Sequence, residues 1–274
     1  MCGRFVVSDT TADLLPELIG ELADRTEHVD EDTGVVGTGL LTSWNVAPTD
    51  PVSAVRQRHG DRELAAISWG FVPSWAKDFT RQRPKPINAR IETVATSGMF
   101  KRAFATSRCI VPALGYYEWV VREDGKEPHF VHEPGGALAM AGLVSAWPDP
   151  TKPEDDPDKW RLSLAIITRD AHVAPGEVHD RMPAFLTPDG YDAWLGDGGE
   201  RTGEGTGTGT GKSTGPSTDD LLALLDRESL AVAAGLEQYE VARTVNSVRN
   251  DGPHLIDPVD HDEPREPATD ATLF

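Results

Sequence analysis

Hydrophobic positions along the chain alternate far more often than they recur at helical spacing. Period-two or continuous apolar runs at residues 3–7 ("GRFVV"), 52–58, 64–71, 109–113, 115–121, 128–133, 138–146 and 161–168 predict strands. Helical spacing is confined to three places. Leu14, Leu15, Leu18, Ile19 and Leu22 lie within "TTADLLPELIGELADR", where Pro16 either sharpens a helix start or kinks it. "GMFKRAFA" predicts a short helix, and "DDLLALLDR" a short amphipathic one. Between these lie a polar, acidic stretch from Glu27 to Gly39, expected to be a loop, and the proline-rich loop "PDPTKPEDDPDKW". Many strands, few helices and no internal repeat predict an α+β domain with a mixed, barrel-like β core flanked by short helices. The domain is expected to span 2–256, with a flexible Gly/Thr-rich insertion at 196–218 and an acidic disordered tail at 257–274.

Composition narrows the function classes. The longest apolar stretch, "ALAMAGLV" at 137–144, is too short to span a bilayer, and Arg4, Ser8 and Asp9 interrupt any signal-peptide core, so the expected compartment is the cytoplasm. The two cysteines, Cys2 and Cys109, make no disulfide framework. Cys109 reads as strand packing. The insertion's "TGTGTGKST" imitates a phosphate-binding loop, but the first required glycine falls at Thr206 and no strand precedes it, which excludes a nucleotide triphosphate site.

Charge adds a further constraint. Forty-five acidic against 26 basic residues give a net charge of −19, and only seven of the basic residues are lysines. That balance fits a salt-rich cytoplasm such as a halophilic archaeon's, and it opposes binding to phosphate. Residues 70–122 reverse it locally: nine basic residues face three acidic ones, for +6, which leaves the remainder at −25. A basic strip on an acidic body is the expected arrangement.

The chain opens "MCGRF". Removal of Met1 would leave Cys2 first, with an amine and a thiol on one carbon, titrating ordinarily near about 8 and 8.5. Such a 1,2-aminothiol condenses with an aldehyde, the amine forming an imine that the thiol closes to a thiazolidine. Alternatively it attacks an amide, as in N-terminal-nucleophile hydrolases. The plain alternative is a small buried residue at the start of a strand.

Six further segments follow in order: "WNVAP" (44–48), "WGFVPSW" (69–75), "INARIET" (87–93), "GYYEW" (115–119), "VHDRMP" (178–183) and "VNSVRNDGP" (245–253). Together with Cys2 they resemble the SRAP family, the SOS response-associated peptidases, whose members shield abasic sites in single-stranded DNA by covalent capture. The resemblance implies that Cys2 is the nucleophile, that Asn88 hydrogen-bonds its amine, and that Glu118 and His179 move protons. A carboxyl group set between Tyr117 and Trp119 is expected to have a raised pKa. His129 and His132 fall on opposite strand faces and no Cys/His cluster has ligand spacing, so no metal site is expected; nor is a cofactor.

For DNA, the expected contacts are Arg4 and Arg90 to the strand's backbone and Trp75 as an exposed stacking surface, with Trp69 packed inward. Asn45 and Pro48 resemble cleft-lining positions. The expected partner is single-stranded DNA containing abasic sites, the expected state a monomer away from membranes. Three alternatives remain. A class II glutamine amidotransferase shares only "MCG" and needs an NGE-type element that is missing here. A peptidase that removes its own leader would find only Met1 to remove. A non-catalytic single-strand binder would bind reversibly.

Overall fold

The computed structural model describes residues 2–22, 27–29, 36–156, 158–196 and 215–260. Along the chain, β1 (Arg4–Val7), β2 (Glu27–Val29), β3 (Val36–Thr38), β4 (Ser43–Val46), β5 (Pro51–Arg58), β6 (Asp61–Trp69) and β7 (Asn88–Arg90) precede two short helices, α1 (Ile91–Val94) and α2 (Lys101–Thr106). Then come β8 (Arg108–Ala113), β9 (Gly115–Arg122), β10 (Gly125–His132), β11 (Leu138–Pro148) and β12 (Trp160–Asp170). The last part holds α3 (Ala174–Val178), β13 (Arg181–Pro183), β14 (Phe185–Leu186), α4 (Tyr191–Leu195), α5 (Thr218–Ala233) and β15 (Glu237–Glu240).

Strands β5, β6, β12, β11 and β8 close on themselves, since β11 pairs with β8 on one side and β12 on the other. Closure leaves these strands no free edge. The ring is mixed because β12 runs parallel to both β6 and β7, as the α+β, barrel-like expectation required. A second, antiparallel sheet in the order β15-β10-β9-β1-β4 lies against it.

Alternation in that second sheet builds two cores. Phe5, Val7 and Tyr116 join the main core with Trp69, Ile110 and Ile166, whereas Val6, Tyr117 and Phe130 pack with Val241, Val245 and Leu255 from the C-terminal segment. Gly115 permits this layering, because a Cβ there would collide with the Phe130 ring. Helix α5 is started by a capping box, Ser217 Oγ accepting from the Asp220 amide and the Asp220 carboxylate accepting from the Ser217 amide. It is longer than the spacing predicts, and Ser229 on it accepts a hydrogen bond from the Phe185 amide of β14.

The predicted N-terminal helix does not form as one. Leu15, Leu18 and Ile19 are buried as its spacing requires, but the segment is a series of turns after a 3-10 turn at Asp9–Thr11. Pro16 has no N–H for the ladder, and Gly20 at φ +37 bends the chain again. Within the expected loop at 27–39, β2 and β3 pair antiparallel. At 257–260, the start of the expected tail, the Val259 amide donates to Glu240 O at 3.0 Å and Pro258 bridges Val241. Residues 261–274 and most of the 196–218 insertion lie outside the described residues. Among the described residues no helix is long and apolar enough to cross a membrane.

Candidate active site

Cys2 lies just before β1 and is fully buried. It packs with the main core, whereas Arg4 turns the other way, over the Trp119 ring at 5.7 Å. The two therefore do not share a face as strict alternation predicts; the strand begins at Arg4, after Gly3. Among the described residues the Cys2 thiol makes one hydrogen bond, to Arg4 O at 3.9 Å, and its pKa is pushed well above the ordinary cysteine value by burial and by the Glu118 charge. It is S–H at neutral pH.

Two neighbouring strands supply the polar groups. On β7, Asn88 Nδ2 donates to Cys2 O at 2.9 Å, while Asn88 Oδ1 is buried with no partner among the described residues. On β9, Glu118 is 3% exposed, and burial raises its carboxyl to about 7 against the opposing pull of the positive amino terminus. A carboxyl near 7 exchanges protons in either direction at neutral pH. Tyr116, two residues earlier on the same face, has a buried hydroxyl without a partner among the described residues. Its pKa is raised by burial first, then by Cys2 and Glu118. The alternation that singles out Glu118 also reaches Tyr116, a residue the motif reading passed over.

His179 ends α3 and is about a third exposed. Its Nδ1 lies 2.9 Å from the Arg181 amide and 2.7 Å from Asp180 Oδ1, contacts that call for opposite protonation of that nitrogen. Burial lowers the His179 pKa, which favours the neutral ring with Nδ1 accepting from the amide; the exposed Asp180 carboxylate is free to turn to water. Arg181 joins two motif segments. Its guanidinium pairs with Glu92 of α1 and Asp170 of β12, both at 2.6 Å, and donates to Thr168 O at 2.7 Å. No local spacing marks that long-range pairing.

The structure separates the residues expected to touch DNA. Trp75 is 65% exposed, while Trp69 is fully buried, its ring N–H donating to Ile87 O at 2.9 Å. Arg90 is exposed and lies on the same strand face as Asn88, with buried Ala89 between them. Pro48 is exposed at the second position of a type II turn, where Thr49 takes φ +82. Of the nine basic residues, Arg108 turns inward to Trp194 O and Phe104 O, and Arg122 pairs with Glu127.

Asn45 and Arg4 both reach the C-terminal segment. Asn45 is 3% exposed; its Nδ2 reaches the carbonyls of Val245, Ser247 and Asn250, and its Oδ1 accepts from Arg4 Nη1 at 2.8 Å. Arg4 also donates to Val245 O and Asn246 O. Both side chains clamp "VNSVRNDGP" onto the sheet. Asn45→Ala is expected to cost about 2–4 kcal/mol, because it strands several buried polar groups at once. Denaturant unfolding checks the value, and faster proteolysis within 245–256 checks the location.

A barrel under an antiparallel sheet, with a buried cysteine leading into an inner strand of that sheet and an asparagine, a glutamate and a histidine around it, defines one class of domain. The family model for SOS response associated peptidase (SRAP) matches residues 1–248, and the chain belongs to that family. It is 31% identical over 260 residues to abasic site processing protein YoqW of Bacillus subtilis (strain 168), covering 94% of this chain and 99% of that one. It is 28% identical over 266 residues to abasic site processing protein YedK of Escherichia coli (strain K12), covering 94% and 100%. A crystal structure of a protein from Bacteroides thetaiotaomicron shares the fold, with a TM-score of 0.66 at 20% identity over 94% of this chain and 100% of that one.

Proposed function

We propose that this protein processes abasic sites in single-stranded DNA by capturing them as a thiazolidine on Cys2. The relatives named above are abasic site processing proteins. The observation that carries the reading is the meeting of three groups: the Cys2 main chain held by Asn88, the buried Asn88 Oδ1 with no partner among the described residues, and a Glu118 carboxyl at about 7.

The chemistry follows from those groups. With Met1 removed, the Cys2 amine becomes a donor that Asn88 Oδ1 is built to accept, and an amide fixes its direction without adding charge. The amine adds to the C1′ aldehyde of the ring-opened deoxyribose to form a carbinolamine, which loses water to an imine. The thiol then adds across the C=N bond, its sulfur to carbon and its proton to nitrogen. One water leaves overall. Glu118 delivers the proton that releases the water and takes one from the attacking amine. Neutral His179 assists opening of the sugar ring.

Exposed Trp75 and Arg90 receive the strand, one by stacking and one by charge. Trp75→Ala is expected to weaken binding of an undamaged single strand by about 1–3 kcal/mol in fluorescence anisotropy, with the crosslinking rate at saturating DNA preserved. The deciding experiment incubates the purified protein with an abasic single-stranded oligonucleotide and maps the adduct by mass spectrometry. The expected product sits on residue 2 and lacks one water. Crosslinked protein that retains Met1, or an adduct on another side chain, would overturn the reading.

A further inference from the structure

Residues 70–86, between β6 and β7, carry a small core of their own. Val72, Ala76 and Phe79 pack with Trp147 of β11, whose ring N–H donates to Ala76 O at 2.7 Å. Two cations sit over the Phe79 ring: Arg161 Cζ is 4.1 Å and Lys85 Nζ 5.0 Å from its centroid. Neither makes a hydrogen bond or ion pair with any described residue.

Asp78 acts on Lys85 and Asp149 on Arg161 through space, but both carboxylates take their hydrogen bonds from their own loops. Asp78 accepts from the Thr80 and Arg81 amides, and Asp149 from Thr151. Lys85 is pulled below its ordinary pKa by burial and then by the Arg83 and Arg161 charges, as expected of a cation crowded by cations. The two cations therefore crowd one aromatic ring, and neither is joined to a carboxylate by an ion pair within 4.0 Å among the described residues. The ring's negative face offsets part of their repulsion, and an anion would offset the rest.

The space for one exists. A cavity of about 180 Å³ opens between these cations, lined also by Thr49, Ser68 and Thr80. Its rim holds Thr49 at φ +82, a strained conformation for a β-branched residue. Lys85 precedes Asn88 by three residues, at most about 11 Å of extended chain. A strand whose sugar is held at Cys2 would pass the cavity within a few nucleotides.

We propose that this cavity is a phosphate subsite that takes a phosphodiester of the DNA strand, with Lys85 and Arg161 as its charge partners and the threonine and serine hydroxyls as donors. The inference rests on single-stranded DNA being the substrate.

Anisotropy titrations over a range of salt test it, with wild type and the Lys85→Gln/Arg161→Gln double variant on an undamaged single strand. The double variant is expected to bind about tenfold more weakly at low salt, and its log–log salt slope to fall by about 0.7 for each phosphate it no longer neutralises. Its crosslinking rate at saturating DNA should be unchanged. Oligonucleotides with one neutral methylphosphonate linkage probe wild type without mutation: one position should weaken binding, and the double variant should be indifferent to that position.

Equal affinity and slope in the two proteins, or wild-type indifference to every methylphosphonate, would overturn the subsite while crosslinking continued. So would inorganic phosphate that raises the thermal midpoint of wild type alone while DNA affinity stays equal, since the cavity would then hold free phosphate. A wild type that neither binds nor crosslinks abasic DNA brings down the functional reading itself, and the subsite with it.

Discussion

Cys2→Ala is expected to abolish the denaturation-stable adduct with abasic DNA while leaving affinity for undamaged single strands intact. The variant keeps its terminal amine, so an imine still forms, but nothing closes it. Borohydride should therefore trap a Cys2→Ala adduct that vanishes without reductant. Wild type should survive denaturation in both cases. The contrast separates the two nucleophiles of one residue. It also bears on their order, because burial and the Glu118 charge keep the thiol protonated at neutral pH. A thiol that is not a thiolate attacks poorly at first contact, yet it carries the proton the imine nitrogen needs as the ring closes. Stable adduct from Cys2→Ala without reductant would place the linkage elsewhere.

Glu118→Gln is expected to slow crosslinking by about 10²–10⁴, the usual range for a lost general acid–base group, with DNA affinity unchanged. Its effect on stability should run the opposite way. The Glu118 carboxyl titrates ordinarily at 4.5 and in the fold at about 7, so the native state holds a proton that the unfolded chain has released. Stability from this group is complete below about 4.5 and is lost as pH rises through about 7. At pH 8 wild type therefore carries a buried charge that costs up to roughly 3 kcal/mol, and Glu118→Gln removes it. Denaturant melts at pH 5 and pH 8 should show a variant stabilised only at the higher pH, while single-turnover crosslinking loses its dependence on pH near 7. A variant no more stable at pH 8, with its rate unaltered, would show Glu118 to be neither strained by charge nor engaged in proton transfer. Such a trade of stability for function is common at active sites.

The chain alone determined a good deal. Strands β5, β6, β8, β9, β10, β11 and β12 lie where apolar alternation put them, because burying one face of a strand fixes its register. The motif segments led to the SRAP family through residues Cys2 to Pro253, and the same alternation carries Asn88 and Arg90 to one side of β7. The short strands β4, β7, β13, β14 and β15 escaped notice, since two to four residues carry too little pattern to register as a period. Pro16 broke a helix whose apolar spacing was otherwise correct.

What only the tertiary structure decided is which polar residues face a ligand and which hold the fold. Asn45 and Arg4 also hold carbonyls more than 200 residues away in sequence, which no local motif encodes. Arg181 ties α1 to β12 and β13, and Lys85 meets Arg161 over Phe79, through pairings that no local spacing encodes. The physical reason is the same in each case. Hydrophobic period depends on the geometry of one element, whereas the partner of a charge or an amide depends on closure of the barrel and on the segment laid over the second sheet. Burial, and with it the Glu118 carboxyl at about 7, exists only once those layers have met.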